Sequence, residues 1–252
     1  MNNETEVFVP FSAAGVSTTI EVTSRPAGKT MLLDVGDGAL RDLLLSHKGT
    51  EWVHEIDLIA LTHGHFDHIG GLHSILGFLR LFKRMRPLHI LVPANCTEAI
   101  GTVTSFRRYY STTLPFRIDI HEMRDGSGFD TDFFKVRAVA VEHSELEFGD
   151  GTELVPALGF RVTVGSTVIA YTGDTRWCKA AEEVVKHADL AIIEATKREP
   201  PARGARVHLT EGEALQLASL AKQSMLVHRI PILKDFREPS EESVNQGEDP
   251  DS

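Results

Sequence analysis

Cysteine is nearly absent from this chain. Cys96 and Cys178 are the only two among 252 residues, which excludes a disulfide framework and a zinc module built on four thiolates. Long apolar runs are missing too. No stretch approaches the roughly 18 residues of a membrane span. Met1-Asn2-Asn3-Glu4 shows no basic start leading into an apolar segment, so no secretory signal is expected. Two free thiols then make the cytoplasm the expected location. Positive charge is in deficit: 26 Lys and Arg face 36 Asp and Glu, a net charge of −10. That argues against a general nucleic-acid coat or a membrane-surface protein, though not against a local basic groove. No internal repeat or low-complexity block is visible.

What is present is an ordinary globular composition, 42% hydrophobic and 25% charged, with one excess, 12 histidines. A chain of this length makes one large domain or two small ones and buries enough surface to fold without staples. The C-terminal segment differs. Ile232–Ser252 holds seven acids and two bases, half of the net charge, with few apolar residues. Residues 238–252 therefore read as an acidic, mobile tail behind a single domain spanning 1–237.

Short β-branched runs alternate with amphipathic segments. Strands are expected at Val7–Pro10, Thr18–Val22, Thr30–Asp34, Asp57–Thr62, Leu88–Val92, Phe116–His121, Phe133–Val141, Leu158–Val164, Ser166–Thr172, Asp189–Glu194 and Met225–His228. Helices are expected at Gly38–His47, His68–Arg84, Thr97–Arg108, Arg176–His187 and Glu211–Lys222. Thr210 with Glu213 matches a capping box at the start of the last helix. Gly49 is placed to end the first, and Gly149-Asp150-Gly151 signals a tight turn. Strands cluster early and then mix with helices, so the expected class is α/β, with sheets covered by helices rather than one doubly wound sheet.

The chemistry concentrates after the fourth strand, in Thr62-His63-Gly64-His65-Phe66-Asp67-His68-Ile69-Gly70-Gly71. Four metal-ligand side chains fall within six residues. Histidines at i and i+2 can point the same way from an extended turn, and Asp67 and His68 fall where a helix should begin. One pair can hold one metal and the other pair a second. Gly64 is read as allowing a sharp backbone turn, and Gly70-Gly71 as allowing close packing beneath the site.

These residues resemble the metallo-β-lactamase fold superfamily, and the resemblance runs from Thr30 to about His228. Leu32-Leu33-Asp34-Val35-Gly36, Val141-Glu142-His143-Ser144, Tyr171-Thr172-Gly173-Asp174-Thr175 and Leu226-Val227-His228 follow in that superfamily's order. The resemblance implies a four-layer αβ/βα sandwich, with the domain at 1–237 a metallo-hydrolase. It implies that His63, His65 and His143 hold one divalent ion, that Asp67, His68 and His228 hold another, and that Asp174 bridges them. Asp34 would orient ligand histidines. Zn²⁺ suits this donor set best, and Mn²⁺ or Fe also fit. Two such ions lower the pKa of water between them toward roughly 7, with Asp67 placed to orient it and take up a proton. The pocket is then net positive and favours an anionic substrate.

A β-lactamase of the usual kind has cysteine where this chain has Asp174, so antibiotic hydrolysis is disfavoured. Cys178 reads as a buried small hydrophobe. Gly173-Asp174-Thr175-Arg176, Glu194-Ala195-Thr196 and His208-Leu209-Thr210 are similar to the ribonuclease Z group, whose members hydrolyse phosphodiesters and trim precursor tRNA. By that match His208 is the general acid for the leaving oxygen and Glu194 its partner. Arg176 would contact phosphate or pair with a surface acid. RNA or a smaller phosphodiester is the implied substrate, and a homodimer the implied assembly. A lactonase or thioesterase-type hydrolase on the same fold is the alternative reading.

Departures from the group bear on tRNA as substrate and leave two-metal phosphodiester chemistry intact. Only the Ser-Thr-Thr end of Pro10–Thr19 looks alike, and His228 is followed by Arg229-Ile230-Pro231. The 30 residues between His143 and Asp174 leave no room for a tRNA-gripping arm. Basic residues gather in three places: Arg80, Lys83, Arg84 and Arg86; Arg107 and Arg108 ahead of Tyr109 and Tyr110; and Lys197, Arg198, Arg203 and Arg206. The third group is placed to steer a nucleic-acid backbone, in a loop that Pro200-Pro201 and Gly204 mark as lid-like. Tyr109 and Tyr110 can stack bases, and a solvated helix face is the plainer alternative.

Overall fold

Strand after strand in this chain is apolar on both faces, which requires layers on both sides. The computed structural model describes residues 4–144, 153–200 and 206–231. The expected acidic tail at 238–252 and the Gly149-Asp150-Gly151 turn lie outside them.

The first sheet runs in sequence order. β1 (Thr5–Ala13), β2 (Ser17–Ser24) and β3 (Lys29–Val35) form an antiparallel meander, and β4 (Ile56–Ala60), β5 (Leu88–Pro93) and β6 (Ile118–Met123) add in parallel. The parallel crossovers carry α1 (Ala39–Ser46), α2 (Trp52–Glu55), α3 (Phe66–Ile69), α4 (Leu72–Leu81) and α5 (Thr97–Tyr109). The second sheet repeats the plan. β7 (Gly128–Asp130), β8 (Lys135–Ala140), β9 (Leu158–Val164) and β10 (Thr167–Tyr171) are antiparallel, and β11 (Leu190–Glu194) and β12 (Ser224–Val227) join in parallel through α6 (Lys179–Val185) and α7 (Glu211–Ala218). The duplication lies in topology, which is why the sequence shows no repeat.

Three cores hold the layers. Leu32, Ile59 and Ile90 of the first sheet pack against Leu43, Trp52, Leu76 and Val103 of its helices. Ile20, Leu33, Leu58 and Leu91 meet Phe160, Val162, Ile169 and Ile192 between the sheets. Ala191 and Ile193 meet Ala181, Val185, Ala214 and Leu217 under the last helices. Each such Leu, Ile or Val side chain, fully buried, contributes about 1.5–3 kcal/mol. Three cores between four layers are the expected αβ/βα sandwich.

The elements differ from expectation where packing overrides local pattern. β7 carries one apolar residue, Phe129, and no alternation, so it was not expected. The helix expected at His68–Arg84 is broken at Gly70-Gly71. A Cβ on Gly71 would lie on the carbonyl of Gly36 and 2.9 Å from the Cβ of Ala39. It ends at Leu81 because Lys83 turns left-handed (φ 53°) and the Arg84 guanidinium bonds the carbonyls of Val53, Arg86 and Pro87. α1 stops at Ser46, short of Gly49. α6 starts only at Lys179, where Cys178 Sγ accepts from the Ala181 amide at 3.4 Å. α7 opens on the expected Thr210–Glu213 capping box and ends at Ala218.

Candidate metal centre

Every parallel crossover begins at the same end of the sandwich, so strand ends gather there. His63 and His65 follow β4. Asp67 and His68 sit in the one-turn α3. His143 follows β8, Asp174 follows β10, and His228 follows β12. Among the described residues, four His/Asp triads have donor atoms within 4.8 Å of one another: His63/His65/His143, Asp67/His68/His228, His63/His68/Asp174 and Asp174/His208/His228. His143 Nε2 faces His65 Nδ1 at 3.2 Å, and His68 Nε2 faces His228 Nε2 at 3.2 Å. Asp174 Oδ2 lies 3.3 Å from His68 Nε2 and 3.9 Å from His63 Nε2, between the two sets.

The ring orientations are fixed from behind. Asp34 and Thr62 are fully buried. Asp34 accepts from the Thr62 amide and hydroxyl (2.7 and 2.8 Å), from His68 Nδ1 (2.8 Å) and from the Tyr171 hydroxyl (2.9 Å). With its proton given to Asp34, the Thr62 oxygen accepts from His63 Nδ1 at 3.1 Å. His143 Nδ1 can only donate to the Val207 carbonyl, 3.1 Å away. Each bond leaves an Nε2 aimed inward. Burial, with His68 and His143 nearby, holds His63 well below the usual imidazole range. Burial also takes His143 down to about 4, so both are neutral at pH 7. His68 behaves oppositely. Burial opposes its charge, but Asp174 and Asp34 outweigh it and raise the ring well above its usual value. Asp67 is pushed up by burial, yet the His228 hydrogen bond (3.1 Å) and the His68 charge hold it at about 2.

A metal fits these donors. His63 Nε2 and Asp174 Oδ1 are buried without a hydrogen-bond partner, which is costly unless a cation meets them. Facing nitrogens 3.2 Å apart match the roughly 3.3 Å edge of a tetrahedron of ligands about 2.0–2.1 Å from zinc.

The second carboxylate hub is Glu194, at the end of β11. It is fully buried rather than a surface acid. Its Oε1 accepts from the Thr175 amide (3.0 Å), the Leu209 amide (3.2 Å) and His208 Nδ1 (3.0 Å). Its Oε2 accepts from the Thr196 amide and hydroxyl (3.1 and 2.8 Å), and the Thr196 oxygen bonds His228 Nδ1 at 2.8 Å. Burial works against a charged His208, but Glu194 and then Asp174, 3.8 Å away, raise it to about 9. His208 shares a cavity of about 420 Å³ with His65, Asp67, His143, Asp174 and His228, and Phe66 and Lys197 also line it.

Across these residues, from Thr30 to His228, the chain matches the family model described as a beta-lactamase superfamily domain. The chain belongs to that family. Among its relatives by sequence, Ribonuclease Z of Pyrococcus abyssi is 27% identical over 84% of this chain and 81% of its own length. Ribonuclease Z of Geobacillus kaustophilus is 26% identical over 87% and 84%. The expected enzyme similar to ribonuclease Z stands with these relatives. Among solved structures, human tRNase Z, short form, superposes with a TM-score of 0.72 at 22% identity, over 90% of this chain and 93% of that one. Zn²⁺-bound PqqB from Methylobacterium extorquens gives 0.66 at 15% identity, over 89% of each. Both show the metallo-β-lactamase fold.

Within this β-lactamase superfamily domain several supporting groups were not expected. Gly15, left-handed at φ 68°, donates its amide to Asp67 Oδ2 at 2.8 Å. The Ser12 hydroxyl receives the His228 amide at 2.9 Å. Thr62, Tyr171 and Thr196 were also missed, for each acts across elements that the sequence does not place together. Gly64 was misread. Its φ is not left-handed, but a Cβ there would meet Glu98 Oε2 at 2.8 Å and Cys96 Sγ at 3.2 Å. Arg176 pairs with Glu142 (Nη2 to Oε2 2.6 Å) rather than facing the cavity. Arg84 is buried, and burial lowers its pKa to about 10, so it leaves the basic groups available to a polyanion. Arg206 pairs with Glu213 at 2.9 Å. Arg203 and the lid-like Pro201–Gly204 segment lie outside the described residues. Among the described residues, no helix is long and apolar enough to cross a membrane.

Proposed function

We propose that the protein is a two-metal phosphodiesterase similar to ribonuclease Z, acting on RNA or a smaller phosphodiester. One observation carries the reading: His208, hydrogen-bonded to the buried Glu194 at 3.0 Å, opens onto the same cavity as the ligand cluster. A phosphodiester leaving group departs as an alkoxide and needs a proton. A thiolate, with a pKa near 8.5, does not, so a thioesterase has less use for this pair. Two divalent ions, zinc or alternatively manganese or iron, would supply Lewis acidity and a hydroxide source at neutral pH. His63, His65 and His143 would hold one, Asp67, His68 and His228 the other, with Asp174 between.

The chain's own residues do the rest. Asp67, ionised and fixed by the Gly15 amide, orients the attacking water and takes up its proton. His208 Nδ1 donates to Glu194, which leaves Nε2 to protonate the leaving oxygen. Glu194 positions His208 without reaching substrate. Cys96 and Cys178, both free and buried, suit a cytoplasmic setting. A homodimer is proposed on family resemblance alone.

Metal analysis paired with a substrate panel tests the reading: a bis-aryl phosphodiester, a lactone, a thioester and a precursor tRNA. Metal-dependent turnover of the phosphodiester is expected. Turnover of the lactone or thioester alone would replace it with the carboxyl-ester reading.

A further inference from the structure

A second cavity lies on the outer helices. His73, Ser105, Phe106, Tyr109 and Tyr110 enclose about 320 Å³. Tyr110 is immobilised there. It packs on Phe106 (ring centroids 4.7 Å apart), and the Arg80 guanidinium sits 4.4 Å over its face, tethered to Thr113 Oγ1 at 2.9 Å. Tyr109 stands edge-on to Tyr110 at 4.7 Å and is 80% exposed. The perpendicular contact fixes one edge of the Tyr109 ring and leaves its face open to water, where a flat partner can lie. Arg107 and Arg108, also exposed, precede it, and neither has an ion-pair partner among the described residues. Arg107 projects to the far side of the helix, and Arg108 adjoins the cavity face, where an unpaired guanidinium in a chain of net charge −10 favours an anion. One lining residue ties the cavity to the ligand segment. His73 is five residues beyond His68, so at most about 17 Å of chain separates them.

We infer that this face binds single-stranded RNA, with a base stacked on Tyr109 over the cavity and a flanking phosphate on Arg108, which adjoins the cavity residue Ser105 one turn back on the helix. It would hold the strand whose scissile phosphate reaches the metals, in a chain with no room for an arm after His143. The proposal rests on the phosphodiesterase reading for its purpose but not for its test. Aromatic stacking together with an adjacent guanidinium suits a strand of unpaired bases, which offers both π-faces and regularly spaced charge.

The test is fluorescence anisotropy of the metal-loaded protein with a short labelled oligo-uridylate, over a salt series. Tyr109→Ala should weaken binding about tenfold. Arg108→Glu should weaken it too and reduce the log–log salt slope by about 0.7 for the phosphate no longer neutralised. Hydrolysis of a bis-aryl phosphodiester should be unchanged in both, since these exposed side chains touch no proposed metal ligand. Wild-type affinity in both variants, or no binding by the unaltered protein, overturns the proposal. Loss in the arginine variant but not in Tyr109→Ala, with heparin bound as well as RNA, reduces the face to an anion patch and also overturns it. If the protein binds RNA through this face but hydrolyses only a lactone, the functional reading fails and the groove stands.

Discussion

Two buried carboxylates, one on each sheet, do similar work with different consequences. Asp34 on β3 fixes His68 directly and His63 through Thr62. Glu194 on β11 fixes His208 directly and His228 through Thr196. Each is fully buried, and each pairs with a threonine that relays its orientation to a second ring. The Asp34 hub serves only proposed ligands and closes on itself with the Tyr171 hydroxyl. The Glu194 hub is divided between a proposed ligand and a histidine that opens onto the cavity. Duplicated topology thus yields one hub for holding metal and one that joins metal holding to proton transfer.

The comparison breaks most severely at the residue both hubs face. Asp174→Ala, or His63→Ala, should abolish turnover and lose at least one metal by elemental analysis; full metal content would remove these residues from the ligand set. Next, Asp34→Asn should cost about 10–100-fold in metal affinity, measured by competition with a chromogenic chelator, because the His68 ring loses its acceptor and so does the Thr62 hydroxyl that holds His63. Glu194→Gln should cost less metal and more rate. A third change isolates the second hub. His208→Ala should keep its metals while alkyl phosphodiester turnover falls about 10²–10⁴-fold and aryl turnover falls far less. Equal losses would end the general-acid role. The pH profile gives a subtler effect. His208 is raised to about 9, so its proton is fully available below that pH and is lost as pH rises through about 9. Alkyl turnover should fall there and aryl turnover should not. The smallest effect is expected from Thr196→Val, which removes one relay and costs about 1 kcal/mol in thermal stability, with Thr196→Ser restoring it.

The Asp34 hub was easier to read from sequence than the Glu194 hub. His63 to His68 cluster so densely that a ligand function follows from spacing, and Asp34 ends a clear strand nearby in the same sheet. His143, Asp174 and His228 are single residues at strand ends, and only their order by resemblance connected them. The burial of Glu194 could not be read, because its donors come from Thr175, Thr196, His208 and Leu209, on segments that meet only after β10, β11 and α7 have packed. Arg84 shows the opposite error: a charge in a basic run, taken for surface, that ends a helix from inside. The α3–α4 break was invisible for a related reason. Gly71 packs there on Gly36, 35 residues earlier in the chain, a contact that the helix's own pattern does not reveal.

His68 and His228 stand 160 positions apart in sequence and 3.2 Å apart in space, His68 in the crossover after β4 and His228 just past β12 of the other sheet. Joining such distant points removes loop entropy from the unfolded chain, about 4.7 kcal/mol for a 100-residue loop joined by a disulfide, and slowly more for longer ones. Ions held between these rings would be the covalent staple this chain lacks. Its two thiols are unbridged, so the clasp between the two halves would answer to chelator and acid rather than to reductant.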